Sequence, residues 1–314
     1  MARPTGTFSV FEAIGIREDL KDFIANVAPK DVPFQNMAGK AKAYNTFVEW
    51  QTDTFAAAAA NRQVEGDNVS AFIVNSVPTV RLGNRTQISA KGIVVSGTLE
   101  ATSRAGRASE LAYQITKQTY ELRRDMEFAL TQSQASTAGN STTARQLGAL
   151  ENQITTNASN NGDTGGGYSA SNWVAVVDGT QRAFTETLLK TVVQSTFSSG
   201  GDPDTLMVGP AQKQVVSGFT GNATRFDKSE DKRLVTSIDV YVSDFGEFRV
   251  VPNRFQRNRT AFLLQSEHWQ VAYLRPLQVL DLAKTGDATQ KELVVEYTLI
   301  GKNEAGSGII RSLS

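Results

Sequence analysis

Residues 107–138 contain neither glycine nor proline. Small or apolar side chains recur through them at three- and four-residue spacing: Ala108, Leu111, Ala112, Ile115, Thr119, Leu122, Met126, Ala129 and Leu130. That period is the signature of an α-helix with one buried stripe. Lys117, Glu121, Arg123, Arg124 and Glu127 fall mostly off the stripe. At about 1.5 Å of rise per residue such a helix is on the order of 40 Å long. A rod of this length acts as a spine, and its stripe must be covered by strands from elsewhere in the chain.

The segment before the spine reads as an arm followed by a ribbon. A short amphipathic helix is expected over 16–24, after which Pro29, Pro33 and Gly39 keep the chain extended or turning. Strand-like alternation begins in 44–59, around Phe47, Glu49 and Trp50, and the stretch 61–68 is polar with a turn at Gly66-Asp67-Asn68. Strand signals return over 76–82 and 86–89 and peak at 92–97. The expectation is one long hairpin with a weakly apolar outer half. A lone two-stranded ribbon is marginal in water, so a second surface must support it. A neighbouring copy of the chain is the economical candidate.

Beyond the spine, 138–172 is rich in Asn, Ser, Thr and Gly and ends in Gly165-Gly166-Gly167. It reads as a loop and a domain boundary, with a short helix over 144–155. A compact unit is expected over 173–264. Its parts are a helix at 181–196, a buried strand at 204–208 and a helix opened by Pro210 and running to 219. Strands at 238–242, 248–251 and 261–264 follow, with a turn at Asp244 to Glu247. This order is that of a mixed α+β unit. Strands over 270–274, 279–282, 292–300 and 308–313 complete the chain, the last two as a closing hairpin turned at 303–306.

Little in the sequence carries chemistry. There is no cysteine and one histidine, His268, which excludes disulfides, thiolate metal sites, iron–sulfur clusters and two-histidine mechanisms. Lys and Arg (32) equal Asp and Glu (32), which argues against a freestanding DNA-binding protein. The longest apolar run, 55–60, is far short of the roughly 20 residues of a membrane helix, and no signal peptide is visible near Arg3. Glu267-His268 lie side by side, so on a strand they would face opposite ways, and no nucleophile elbow accompanies them. Gly162 to Gly167 lack the Lys-Ser/Thr of a phosphate loop and read as a flexible linker. Asp202-Pro203-Asp204 reads as a turn. Arg123-Arg124 is interleaved with acids on a helix and reads as a solvated face. Lys232-Arg233 is a further small basic cluster. The denser set Arg254, Arg257 and Arg259, with Phe255 among them, reads as a basic loop able to touch phosphate or an acidic neighbour. No catalytic, metal or cofactor site is expected.

The order of arm, ribbon, spine, compact α+β unit and returning strands resembles the tailed-phage major capsid fold typified by the Hong Kong 97 shell protein. Within it the chain is similar to a subfamily of roughly 300-residue phage capsid proteins long catalogued as a domain of unknown function. The matching stretches run along most of the chain. They include Gly15-Ile16-Arg17-Glu18-Asp19-Leu20, Pro33-Phe34, Asn84-Arg85-Thr86-Gln87-Ile88-Ser89 and Ser96-Gly97-Thr98. Others are Ala105-Gly106-Arg107, Ser109-Glu110-Leu111-Ala112-Tyr113-Gln114 and Arg124-Asp125-Met126-Glu127. The last are Val251-Pro252-Asn253-Arg254-Phe255, Leu274-Arg275-Pro276 and Leu282-Ala283-Lys284-Thr285-Gly286-Asp287. Each is short; their order and spacing carry the likeness.

The resemblance implies an N-terminal arm (1–44) and an extended loop (45–100) lying over an adjacent subunit. It further implies a spine helix with the first part of a peripheral domain (101–172), an axial domain (173–264) and returning peripheral strands (265–314). The implied activity is self-assembly into hexamers and pentamers of an icosahedral shell around double-stranded DNA, not enzymic. The implied localisation is the virion, after assembly in the host cytoplasm. Implied partners are further copies of itself, weakly held DNA, a portal protein and either a separate scaffolding protein or none (Met1 runs almost directly into the arm), and the resemblance leaves a cement protein open. Some relatives weld their shells through a lysine of the extended loop, but no lysine lies between Lys42 and Lys91, so a non-covalent shell is expected. Arg62, Glu65, Asp67, Arg81 and Arg85 are candidates for inter-subunit pairs. Competing readings are a decoration or tail protein, a nanocompartment shell protein, and a hydrolase or transferase built on Asp202, Asp204, Glu267 and His268.

Overall fold

A computed structural model of the chain describes residues 30–55, 57–58, 60, 62, 64–66, 79–103, 106–219 and 240–314. The elements run in the order α1 (Pro33–Met37), β1 (Gly39–Lys42), β2 (Phe47–Thr52), β3 (Val80–Arg85), β4 (Gln87–Ser96), α2 (Gly97–Ala101), α3 (Glu110–Thr131) and α4 (Leu150–Gln153). Then come β5 (Ala158–Ser159), β6 (Thr164–Gly165), β7 (Tyr168–Ser169), β8 (Asn172–Trp173), β9 (Val176–Val177), α5 (Glu186–Ser198), β10 (Thr205–Val208) and α6 (Pro210–Ser217). The chain closes with β11 (Val240–Ser243), β12 (Gly246–Pro252), β13 (Ala261–Leu264), β14 (Trp269–Asp281), β15 (Ala288–Gly301) and β16 (Gly308–Ile310). The helix expected over 16–24 lies outside the described residues.

The spine is α3, whose 22 residues span about 33 Å. It is shorter than the glycine- and proline-free run because both ends are captured by other bonds. Ser109 caps the start, its hydroxyl accepting from the Ala112 N–H at 3.2 Å. Past the other end, the Gln134 carbonyl accepts from the Ala149 N–H, and the Ser136 N–H donates to the Trp173 carbonyl. Leu122, Met126, Ala129 and Leu130 are buried as the stripe requires, and Leu111 and Ile115 pack against the same core. Glu127, placed off the stripe by its chemistry, is also fully buried.

A four-stranded sheet in the order β1-β14-β15-β4 lies across the spine. Ile93, Val95, Leu293, Val295, Tyr297 and Leu299 share one core with Leu122, Met126 and Leu130. Two sequence expectations change here. The run 92–97 is not the end of the ribbon, because β4 pairs with β15 along its whole length, from Gln87 opposite Tyr297 to Ser96 opposite Ala288. The separate strands expected over 270–274 and 279–282 are one strand, β14, with register shifts between Tyr273 and Gln278. Pro276 sits in that interval and has no N–H to give to a ladder, so the irregularity absorbs it.

The second sheet has six strands in the order β11-β12-β10-β13-β16-β5. Its middle strands are buried on both faces. Leu206, Val208, Ala261, Leu263 and Ile310 face a core with Leu189 and Val192 of α5 and Val216 of α6. Met207, Phe262, Leu264 and Ile309 face the core of the spine and the first sheet. The closing hairpin expected over 292–313 is not formed. After β15 a turn at Glu304–Gly306 carries the chain into the second sheet, where β16 pairs with β13 and β5.

The segment 138–172 also departs from its reading as a boundary loop. Leu147, Ala149, Leu150 and Ile154 are wholly buried, and the expected helix over 144–155 shrinks to the four residues of α4. Gly165, Gly166 and Gly167 hold φ of 78°, 79° and 83°, a region that favours glycine. A Cβ on Gly165 would lie 2.4 Å from the Ala175 carbonyl oxygen. These glycines form a tight fixed turn between β6 and β7, not a flexible linker. Helix α5 starts at Glu186 rather than 181, capped by Thr185, because the Arg182 N–H is bonded to the Ser312 carbonyl.

Phe262 is fully buried on the spine-facing side of the second sheet. Phe262→Ala should lower the unfolding free energy of the unassembled protein by about 3–5 kcal/mol in denaturant titration. Phe128→Ala, on the exposed face of the spine, should change it by less than about 1 kcal/mol.

Candidate assembly interface

Strands β2 and β3 form the base of the ribbon, antiparallel from Phe47 opposite Arg85 to Thr52 opposite Val80. Arg85 lies over the Phe47 ring at 4.7 Å and donates through Nε to Asn172 Oδ1 at 3.2 Å. Gly83 leaves room for the same ring, since a Cβ there would lie 2.6 Å from Phe47 Cζ. Arg81 pairs with Glu49 on the ribbon. Two of the candidate inter-subunit cations, Arg81 and Arg85, are thus engaged within their own chain. Arg62 and Glu65 are exposed, and Asp67 lies outside the described residues, as does the rest of 67–78.

The ribbon root is fixed by buried polar groups. Asn84 Nδ2 donates to the carbonyls of Gly148 at 2.9 Å and Leu299 at 2.8 Å, while its Oδ1 accepts from the Gly148 N–H at 2.7 Å. Two residues on, the Thr86 hydroxyl donates to Glu296 Oε1 at 2.7 Å. Arg145 and Arg275 both pair with the Glu296 carboxylate. Outward from this root the ribbon carries apolar side chains with little cover of their own: Val80 is 56% exposed and Val64 76%.

A second anchor sets where the arm leaves the spine. Both oxygens of Glu127 are occupied: Oε1 accepts from the Phe34 N–H and Asn253 Nδ2, each at 2.7 Å, and Oε2 from the Gln35 N–H at 3.1 Å. Burial pushes this carboxyl above its ordinary range, while the hydrogen bonds pull the other way. The carboxylate ties α1, the spine and the loop after β12 at one point.

The basic loop 254–259 finds acidic partners in its own chain. Arg257 donates through Nη1 to the buried Glu151 at 3.1 Å and pairs with Asp178, and Arg259 Nη1 reaches Asp178 at 3.0 Å. Arg254 is exposed and in no ion pair among the described residues. Glu151 and Asp178 were not singled out from the sequence, although a signal exists: 146–181 holds three carboxylates (Glu151, Asp163, Asp178) and no cation. The buried Arg311 lies on the other side, donating to the carbonyls of Glu151 and Ile154 at 2.6 and 2.7 Å.

The residues weighed for catalysis lie side by side, with Gln265 bridging the Asp202 N–H and the Glu267 carboxylate, but their side chains are taken up by local structural bonds. His268 closes a short 3₁₀ turn rather than lying on a strand, and its Nε2 is 3.9 Å from Glu267. Asp204 accepts from the Ser266 N–H at 3.1 Å and from its hydroxyl. Among the described residues no group of three or more His, Asp or Glu side chains could hold a metal ion. No helix among them is long and apolar enough to cross a membrane.

Burial pushes the Glu151 carboxyl up to about 7, against the pull of Arg257 and Arg311. A carboxyl raised in the fold binds more protons folded than unfolded between its two pKa values, so stability falls as pH rises through that window. The unassembled protein should therefore lose up to about 3 kcal/mol between pH 5 and pH 8, read by denaturant titration at several pH values. Glu151→Gln should flatten that profile, and an equally steep profile in the variant would place the titration elsewhere.

Comparison with known proteins agrees with this architecture. The family model described as SU10 major capsid protein matches residues 3–314. The major capsid protein of Escherichia phage Phieco32 is 27% identical over 351 aligned positions, covering 99% of this chain and 97% of the relative. Among solved structures, one from Mycobacterium phage Cain superposes with a TM-score of 0.62 at 13% identity, covering 98% of this chain and 99% of the other. The capsid of a native GTA particle gives 0.63 at 10% identity, covering 95% and 96%. The capsid of cyanophage A-1(L) gives 0.62 at 14% identity, covering 95% and 97%. At these identities the structures speak for the fold alone, and it is the Hong Kong 97 capsid fold expected from the resemblance. The chain belongs to the SU10 major capsid protein family, and its function is that of the major capsid protein of a tailed phage.

Proposed function

We propose that the chain self-assembles into hexamers and pentamers of an icosahedral head around double-stranded DNA, in a shell without covalent links from the ribbon. The observation that carries this reading is the ribbon itself. Its root is pinned by Asn84, Thr86 and Glu296, while Val64 and Val80 farther out lack cover within their own chain. Apolar side chains in this position are covered economically by a second copy. On this reading 45–100 contains the extended loop, 173–264 the axial domain, and the spine with the four-stranded sheet the peripheral domain. Arg62, Glu65 and Asp67 then lie toward neighbouring subunits; exposed pairs there contribute about 0–1 kcal/mol each, so buried apolar area must supply most of the association. Arg81 and Arg85 serve chiefly to stiffen the ribbon base. Arg257 and Arg259 belong to an internal ion cluster, and Arg254 remains for a phosphate or an acidic neighbour.

The proposal includes a portal protein at one vertex, a separate scaffolding protein, a cement protein on the outside and assembly in the host cytoplasm. It includes no catalytic role. The absence of lysine between 42 and 91 removes the nucleophile that an isopeptide weld from the ribbon needs.

Size-exclusion chromatography and negative-stain imaging of the purified protein, with its scaffold where one is required, should show capsomers or closed shells. Shells boiled in detergent should run as a single band at 34.0 kDa; a ladder of multiples would contradict the non-covalent shell. Deleting 61–76 should leave the unassembled protein folded but lower the temperature at which shells come apart. Shells of unchanged thermal stability would remove the ribbon from the assembly mechanism.

A further inference from the structure

The four-stranded sheet gives the spine two unlike flanks, since β1 and β4 are its opposite edges. On the β4 flank the charges are matched: Lys91 pairs with Asp125 at 2.9 Å and Glu121 at 3.5 Å, and Lys117 reaches Glu121 at 3.9 Å. On the β1 flank they are not. Lys30, Lys40, Lys42 and Arg123 are all exposed, and none takes part in an ion pair among the described residues. Asp31 is exposed beside Lys30 in sequence and forms no such pair either.

These cations are interleaved with tyrosines. The Lys30 ammonium lies 4.7 Å from the centroid of the Tyr120 ring, and the Lys42 ammonium 5.3 Å from that of Tyr44, which is 84% exposed. Arg123 follows Tyr120 by one turn of the spine. The β1–β14 register sets Lys42 beside Tyr273, which packs against the core of the spine. The side chain of Gln35 donates to the Arg123 carbonyl at 2.8 Å, so the root of the arm holds the two halves of the strip together. Lys40 and Lys42 are two residues apart on one strand, about 6.6 Å, and so project from the same face of it.

We propose that Lys30, Lys40, Lys42 and Arg123, with Tyr44 and Tyr120 between them, form the surface of this chain that receives the phosphates of duplex DNA. The assignment deepens the shell reading and rests on it. Lysine, arginine and tyrosine hydroxyls are the groups that contact phosphate without reading sequence. Four cations in a protein of zero net charge give a weak, salt-sensitive hold, suited to DNA that must later leave.

The test uses the full-length unassembled protein and a short duplex DNA of arbitrary sequence, with affinity measured across a salt series. Shell formation is imaged in parallel on the same preparations. Each lost phosphate contact reduces the salt slope by about 0.9. The variant Lys40→Gln/Lys42→Gln/Arg123→Gln, which removes exposed side chains only, should lower the slope by about 2–3. Lys117→Gln, from the matched flank, should leave it unchanged. A wild-type slope in the triple variant overturns the assignment, as does tighter wild-type binding to polyglutamate of equal charge, which would mark the strip as a seat for an acidic protein segment. If shells form while the triple variant keeps its slope, only the strip assignment fails; if neither shells nor capsomers form, the shell reading fails with it.

Discussion

The whole molecule hangs on three short strands that are buried on both faces. In β10, β13 and β16, successive side chains point alternately into two cores: Leu206 and Val208 against Met207, Leu263 against Phe262 and Leu264, Ile310 against Ile309. A strand buried on both sides has no solvent face to mark its register. Here register is enforced by the different shapes of the two cores instead. A slip of one residue would exchange every side chain between the helix-covered face and the spine-covered face. The second sheet therefore sets the place of α5 and α6 on one face and, on the other, of the spine and the first sheet, which share a core of their own.

Around that apolar centre the junctions are polar, and each is satisfied. Glu127 receives four donors, Glu151 faces Arg257, Glu296 is shared by Arg145 and Arg275, and Asn84 bonds two carbonyls and one N–H. Taken singly such buried groups are weak evidence for stability, since desolvation offsets much of the attraction. Their value lies in direction. Hydrogen bonds to a buried carboxylate are strongly angular, whereas apolar packing tolerates rotation. The arm and the ribbon each leave the body at one of these polar points, Glu127 and Asn84, so their exit directions are fixed.

The sequence was legible wherever one face is apolar and the period is regular. The spine and α6 lie close to their expected places because one-sided burial writes a pattern into the chain, β10 because a short continuous apolar run marks a strand buried on both faces, and the β11–β12 turn because of its turn residues. The failures have a common physical cause. The ends of the spine and of α4 are set by hydrogen bonds from Ser133, Gln134 and Ala149 to residues far along the chain, which no local period records. The closing hairpin was expected because 303–306 is a good turn. The turn exists, but it hands the chain from one sheet to another, and the destination depends on which core Ile309 and Ile310 must fill. The Asn, Ser and Gly-rich stretch looked like linker because its polar side chains bond to backbone, and composition does not distinguish a polar group bonded to water from one bonded to the protein.

The same reasoning bears on how the junctions suit a shell protein. A shell subunit must present the same surface to neighbours related by fivefold and by quasi-sixfold symmetry, so its projecting parts need a firm origin and a compliant reach. An ion pair at the ribbon tip would give the opposite, a weak origin and a fixed contact. The arrangement found here puts the buried, angular, charge-assisted bonds at the roots, in Asn84, Glu127 and Glu296, and leaves exposed side chains such as Val64, Arg62 and Glu65 outward of them. The ribbon holds no lysine, so in the non-covalent shell proposed above repeated modest contacts would carry the assembly. That demand falls on the rigidity of the roots, because a contact contributing little can be repeated accurately only when its two ends are already aimed.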